Sequence, residues 1–147
     1  MNIFTITKGS TKFTEDQMAV LMDVLHRYSQ TDNGKWLQEI DYTNMVYKWS
    51  PAMENSYVMA ACPLFGKSIY AMPRASSPEY WVLLVTPAIV HELRHKWQKK
   101  QGLVKYVICS VVSRIFMLFS EKLYQETLME KSAFEQQDKV SEFIGGI

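Results

Sequence analysis

The segment TPAIVHELRHKWQKKQG, Thr86 to Gly102, contains two histidines four residues apart, with Glu92 directly after the first. On an α-helix, residues four positions apart project from the same face, one turn from each other. His91 and His95 would then bring two imidazoles close enough to share one metal ion. This spacing therefore makes sense chemically only if the segment folds as a helix.

Local signals predict the ends of this helix. Thr86 is a favourable N-cap residue, and Pro87 suits the first helical position because the N–H that it lacks would have no partner there. Lys99 and Lys100 lie near the other end, where the helix dipole favours positive charge. Gly102 follows as a typical residue just beyond a helix. We therefore predict a helix of about four turns.

Glu92 indicates that a metal bound by the two histidines would be catalytic. One residue along a helix is a rotation of about 100°, so Glu92 is poorly placed as a third ligand. Its carboxylate can instead reach a metal-bound water, take its proton and deliver it to a leaving group. This is the H-E-x-x-H pattern of catalytic zinc sites. The alternative is that His91 and His95 are two surface histidines on a solvated, charged helix.

A catalytic zinc site needs a third protein ligand, and no histidine follows His95 in the sequence. In the C-terminal amphipathic segment, Glu130 falls in the middle of the apolar face and Glu126 falls close to it. A carboxylate turned into a core must be paired or metal-bound, because an isolated buried charge is very unfavourable. Glu130 is the predicted ligand and Glu126 the second candidate. An ordinary ion pair of Glu130 with Arg94 or Arg114 is the alternative.

The rest of the chain indicates an α+β fold. Thr14 and Gln17 form the S/T-x-x-E/Q pattern of a capping box before apolar residues with helical spacing. The segments YTNMVYKW, SYVMAAC and SIYAMP have the alternation or the β-branched and aromatic content typical of short strands. A mixed sheet followed by helices is predicted.

The most apolar segment is LVKYVICSVVSRIFMLF, Leu103 to Phe119. It is long enough to raise the question of a membrane, but Lys105 and Arg114 lie inside it and would be costly in hydrocarbon. We interpret the segment as a buried helix and expect no membrane partner. A membrane-facing or partner-facing helix is the alternative.

Composition narrows the remaining possibilities. A chain of 147 residues is long enough for one domain, which we place at 1–147. Lys plus Arg number 16 against 15 Asp plus Glu, so the sequence lacks the basic excess of a nucleic-acid-binding protein. The two cysteines form no disulfide framework. The N-terminus lacks a signal-peptide pattern, so we expect a cytoplasmic or virion-associated protein. The oligomeric state stays open.

Taken together, HELRHKWQ and EKLYQETLMEKSAFEQQ resemble the small gluzincin-type metallopeptidases, which are minimal zincin-like domains of bacteria and their phages. The resemblance covers Tyr57 to Gln137. It implies a short mixed β-sheet packed on the HExxH helix, with a C-terminal helical region. It also implies Zn²⁺ as cofactor, with His91, His95 and Glu130 as ligands and Glu92 as general base.

The implied activity is hydrolysis of a peptide bond by a zinc-bound water, on a peptide or protein substrate. In this family an edge strand holds the extended substrate. Lys67 to Pro73 is the predicted edge strand, so its central residues Ile69, Tyr70 and Ala71 are the candidate substrate-binding residues.

Two questions stay open at this point. The group that stabilises the oxyanion could be Tyr106, Tyr124 or Arg94, and the sequence does not select among them. The protein could also be a zinc-binding structural or binding protein without turnover, such as a component of a phage particle. A further rival has no metal: HELRHKWQKK would be a basic helix that meets an acidic partner.

Overall fold

The computed structural model describes residues 3–54, 58–63, 66–73, 81–120 and 127–146. Within these ranges the chain is α+β, as predicted. The helices are α1 Ile3–Thr7, α2 Glu15–Ser29, α3 Trp81–Gln101, α4 Leu103–Phe119 and α5 Leu128–Gly145. The strands are β1 Thr11–Lys12, β2 Val46–Trp49, β3 Ala60–Ala61 and β4 Ser68–Ala71. Short 3₁₀ helices span Lys35–Glu39, Tyr42–Asn44 and Pro51–Met53.

The predicted capping box starts α2. The Thr14 hydroxyl accepts a hydrogen bond from the Gln17 backbone N–H at 3.2 Å, and the Gln17 side chain accepts one from the Thr14 backbone N–H at 2.9 Å. Two backbone donors that the first turn leaves unpaired are thereby satisfied. The same Gln17 oxygen accepts from the Trp49 indole N–H at 3.1 Å, which ties α2 to β2.

The four strands form one mixed sheet in the order β1-β2-β4-β3. The strands β2 and β4 pair in parallel, whereas β1 with β2 and β3 with β4 pair antiparallel. The predicted strands are present but shorter than expected, because Tyr42–Asn44 is a 3₁₀ helix and only two residues of SYVMAAC pair. Residues 56 and 57 lie outside the described part of the chain.

The prediction that Lys67 to Pro73 forms an edge strand is wrong. Strand β4 lies between β2 and β3, so both of its edges are hydrogen-bonded. The side chains of Ile69, Tyr70 and Ala71 are buried, with no more than 4% exposed. Their apolar character suits an interior strand. The strand at that end of the sheet is β3, which also contacts α3.

The helix α3 begins at Trp81, five residues before the predicted N-cap, and Pro87 lies inside it. Trp81 and Val85 are one turn apart and both are buried, so their packing favours an earlier start than the local Thr-Pro signal indicates. Pro87 removes the hydrogen bond to residue 83. The Leu83 side chain is 51% exposed, whereas Pro87 itself is buried. The other end, Gln101 before Gly102, is as predicted.

Helix α5 packs along α3, and buried polar contacts fix its position. The Gln136 side-chain oxygen accepts hydrogen bonds from the Tyr28 hydroxyl at 2.8 Å and from the Trp36 indole N–H at 2.7 Å. Gln136 is only 7% exposed, so leaving either bond unmade would be unfavourable. These bonds hold α5 against α2 and the 3₁₀ helix at Lys35–Glu39. They also set the position of Glu130, almost two turns earlier on α5.

The segment Leu103–Phe119 is helical, but the prediction that it is buried is wrong. Among its residues Ser113 alone is buried. Ten of its large apolar side chains are exposed, to between 40% at Val112 and Phe116 and 85% at Leu118. The apolar content of this segment therefore does not serve the core of the domain. In the described part of the chain, no helix combines the length and apolar character needed to cross a membrane.

Candidate metal centre

The helices α3 and α5 bring the three predicted ligands together. His91 and His95 project from one face of α3, and Glu130 lies in the first turn of α5. All three side chains are buried, with 8%, 9% and 5% exposed, respectively. A carboxylate in the first turn of a helix is favoured by the positive end of the helix dipole. The helix dipole therefore helps to stabilise the charged Glu130 carboxylate at this buried position.

The ligand atoms of this trio lie close to one another. The Nε2 atom of His91 is 3.1 Å from one Glu130 carboxylate oxygen, and the Nε2 atom of His95 is 3.1 Å from the other. The two Nε2 atoms are 3.2 Å apart. Glu130 thus contacts the two histidines, whereas neither Arg94 nor Arg114, the arginines considered as alternatives, pairs with it. Glu126, the second candidate, lies outside the described residues.

These distances fit a metal ion. Zinc binds imidazole nitrogen and carboxylate oxygen at about 2.0–2.1 Å, which gives a tetrahedron edges of about 3.3–3.4 Å. The observed separations of 3.1–3.2 Å lie within a few tenths of an ångström of those edges. Three protein ligands would leave one position open. The group could therefore bind a metal ion.

Gln98 determines which nitrogen of His95 faces the cluster. The Gln98 amide nitrogen donates to the Met129 carbonyl oxygen at 3.0 Å, so its side-chain oxygen is the acceptor for His95 Nδ1 at 2.9 Å. The Nδ1 atom therefore carries a proton. The Nε2 atom of a neutral His95 would then turn a lone pair toward the Glu130 carboxylate, so the cluster needs a proton or a metal cation at this point.

The pKa values describe the metal-free form. Burial lowers the pKa of His95, but its hydrogen bond to Glu130 and the nearby charges of Glu92 and Glu130 outweigh this and raise it to about 9. Burial raises the pKa of Glu130, whereas hydrogen bonds from His91 and His95 lower it more strongly, to about 2. Without metal, an extra proton on His95 therefore balances the Glu130 carboxylate near neutral pH.

Metal binding should displace that proton. Because the pKa of His95 is about 9, we expect metal affinity to rise about tenfold per pH unit from pH 7 toward pH 9 and to level off above it. Titration calorimetry in buffers of different ionisation enthalpy at pH 7.5 should detect about one proton released per zinc bound. Binding without proton release, and with pH-independent affinity, would contradict this description of the site.

Replacing Gln98 should weaken metal binding without removing a ligand. Gln98→Leu leaves His95 Nδ1 without its acceptor, and loss of such an outer partner typically lowers metal affinity by about 10–100-fold. A competition assay with a zinc-binding dye measures the change. Gln101→Leu, an exposed glutamine at the end of the same helix, is the matched control. Equal affinity for Gln98→Leu and wild type would show that Gln98 does not orient His95.

The environment of His91 differs from that of His95. The Nδ1 atom of His91 is buried and has no hydrogen-bond partner among the described residues. The ring is instead held by packing, with the Phe134 ring 4.5 Å away in an edge-on arrangement. The side-chain hydrogen bond that fixes a tautomer in this cluster is therefore the one that Gln98 makes to His95.

Glu92 lies next to the cluster, between it and the sheet. Its partly buried carboxylate interacts electrostatically with both histidines and accepts a hydrogen bond from the Cys62 backbone N–H, just beyond β3. Burial raises the pKa of Glu92, with the two histidines opposing the shift. Glu92 is not part of the three-ligand group. A nearby carboxylate with a raised pKa suits a group that takes up and releases a proton.

A pocket beside the cluster lies between the end of β3 and one side of α4. Its lining residues are Cys62, Tyr106, Val107, Ser110, Val111 and Arg114. The Tyr106 ring is 6.3 Å from the His95 ring. Burial raises the pKa of Tyr106 to about 12, so its hydroxyl stays protonated and can donate a hydrogen bond. The pocket therefore lies close to the cluster.

Of the three oxyanion candidates, the structure places Tyr106 beside the cluster. Arg94 is engaged elsewhere, since its guanidinium lies 4.9 Å from the Trp36 ring and 4.0 Å from the Trp97 ring. It also donates to the Ser132 hydroxyl at 3.0 Å. Tyr124 lies outside the described residues.

Several basic residues of α3 contact other parts of the protein. Lys96 donates to the carbonyl oxygens of Pro63 and Gly66, at 3.3 Å and 2.8 Å, in the connection between β3 and β4. Lys100 donates to the Glu39 backbone carbonyl. Together with the stacked Arg94, three basic side chains of α3 are thus engaged within the protein.

Sequence reasoning missed two contributors to this centre. Gln98 lies three residues after His95, a spacing that places both side chains on one helix face and could have revealed the contact. The role of Cys62 depends on its backbone, and no side-chain pattern signals it. Ile69, Tyr70 and Ala71 lie inside the sheet.

No protein-family model, curated protein or solved structure matches the chain.

Proposed function

We propose that this protein is a zinc-dependent metallopeptidase of the gluzincin type. The observation that supports it most is the convergence of two imidazole nitrogens and a carboxylate with ligand-like separations, next to the carboxylate of Glu92. Imidazole and carboxylate together are a donor set that zinc accepts. Three protein ligands with one open position are typical of catalytic zinc sites, whereas structural sites use four.

The chain's own residues would carry the proton transfers. A bound zinc ion would supply Lewis acidity to a water molecule and to the scissile carbonyl. Glu92 would take the proton of the attacking water and pass it to the leaving amine nitrogen. The Cys62 backbone N–H would hold the Glu92 carboxylate in place, and the Tyr106 hydroxyl would donate a hydrogen bond to the developing oxyanion.

The substrate would add to the edge of β3 that pairs with no strand in the described part of the chain, instead of to the predicted β4. Strand β3 is at the end of the sheet and contacts α3, and Cys62 next to it touches both Glu92 and the pocket. An extended peptide can hydrogen-bond such an edge through its backbone while alternate side chains enter pockets. The pocket lined by Cys62 and Tyr106 would take one side chain next to the scissile bond.

A peptide library tests this function. Zinc-loaded protein is incubated with a mixture of unstructured peptides, and the products are identified by mass spectrometry. We expect new termini that appear with wild type, disappear when a zinc chelator is added and return with excess zinc. Tight zinc binding without cleavage of any library peptide would support the rival, a zinc-binding structural or binding protein.

A further inference from the structure

Helix α4 is amphipathic, but its more polar side faces the domain and its more apolar side faces away from it. Its side toward the domain carries Tyr106, Cys109, Ser110 and Ser113, which are partly or fully buried. The Ser113 hydroxyl donates to the Thr127 hydroxyl at 3.0 Å, just before α5. A surface helix normally turns its apolar face inward and its polar face outward. Here small and polar residues dominate the side toward the protein, although Val107 is also partly buried, and the exposed large apolar residues lie away from it.

The outward side is continuous and apolar. At about 100° per residue, six large apolar residues fall within a sector of about 100° opposite Ser113. They are Val104, Ile108, Val111, Ile115, Leu118 and Phe119, and each is at least 47% exposed. An apolar patch of this extent on a soluble monomer usually marks a surface that binds something.

The charges around this sector indicate what binds it. Lys105 and Arg114 are exposed and border the sector on its two sides, and no acidic residue occurs from Leu103 to Phe119. Lysine and arginine at the borders of an apolar face can reach the phosphates of a lipid surface while the face enters the acyl boundary. A second copy of α4 would instead bring like charges together.

We propose that α4 binds flat to the surface of a bilayer that contains anionic lipids. Six apolar side chains would enter the boundary between headgroups and acyl chains, and Lys105 and Arg114 would contact lipid phosphates. A spanning orientation would place both cations in hydrocarbon, whereas a flat helix keeps both at headgroup level. The expectation of no membrane partner rests on a buried helix and on the cost of Lys105 and Arg114 in hydrocarbon. The first premise is wrong, and a flat orientation avoids the second.

Vesicle flotation tests the proposal. Full-length protein is mixed with vesicles of phosphatidylcholine, either alone or with phosphatidylglycerol, and floated on a density gradient. We expect wild type to float with the anionic vesicles and Ile108→Asn/Ile115→Asn to remain below. Lys105→Gln should weaken binding about fivefold, in line with the contribution of one cation near an anionic surface. Added salt should also weaken it.

The controls separate this surface from folding and from catalysis. Val20→Asn replaces an exposed valine on α2 and should float like wild type. Glu92→Gln should also float like wild type, because membrane binding does not depend on hydrolysis. If circular dichroism shows that the double variant is unfolded, Leu118→Asn takes its place, since Leu118 is 85% exposed.

Three results would overturn the proposal. The first is absence of wild-type flotation with anionic vesicles, and the second is flotation that folded variants of the outward face retain. The third is a dimer in sedimentation equilibrium that Ile108→Asn/Ile115→Asn abolishes while no vesicle binding occurs. That result would assign the face to a second copy of the chain.

Discussion

Glu130→Gln is expected to lower zinc affinity by more than about 100-fold, since the loss of an outer partner alone typically lowers it by about 10–100-fold. The change keeps the shape of the side chain but removes the negative charge that faces His91 and His95, each 3.1 Å away. Two neutral imidazoles would remain as ligands. Competition with a zinc-binding dye at pH 7.5 measures the loss.

The matched control is Glu142→Gln, an exposed glutamate on the same helix. It should bind zinc like wild type, because it changes the same charge away from the cluster. A Glu130→Gln protein that binds zinc as tightly as Glu142→Gln would show that Glu130 is not a ligand. The carboxylate of Glu126 would then be the next candidate.

Glu92→Gln is expected to reduce peptide cleavage by about 10²–10⁴-fold, the usual contribution of a general acid–base group. Glutamine is nearly isosteric and can still accept a hydrogen bond from the Cys62 backbone, but it cannot take a proton from water. Zinc binding should be retained, because Glu92 is not part of the three-ligand group. Steady-state cleavage of the best library peptide, with zinc content measured on the same sample, gives both values.

The two readouts distinguish the possible failures. Unchanged cleavage in Glu92→Gln would show that another group handles the proton. Loss of zinc together with cleavage would show that Glu92 maintains the cluster itself. Only loss of cleavage with full zinc content fits the proposed role.

The site could be predicted from sequence because its pattern is local within each helix. The spacing of His91 and His95 fixes a shared face once the segment is helical, and the apolar face of the C-terminal segment turns Glu130 inward. Glu130 lies far from His91 and His95 in the sequence, but a buried carboxylate needs a charged or metal partner, so its role as a ligand could still be predicted. In the structure, a Glu130 carboxylate oxygen lies 3.1 Å from the Nε2 atom of each histidine.

The predictions failed where contacts between elements distant in sequence determine helix ends, strand pairing or burial. The start of α3 follows the burial of Trp81 and Val85, which overrides the local signal at Thr86 and Pro87. The position of β4 inside the sheet depends on pairing with β2 and β3, and the composition of a four-residue strand does not specify pairing. Helix α4 was interpreted as buried because apolar content alone does not show which face has a partner within the domain.

Metal content tests the central claim most directly. Wild-type protein is purified without chelator, loaded with zinc and dialysed to remove free zinc. It should then contain one zinc ion per chain by inductively coupled plasma mass spectrometry. His95→Ala should lose it, while His26→Ala should retain it, because His26 is exposed on α2. Wild-type protein that takes up no zinc would contradict both the metal centre and the proposed peptidase.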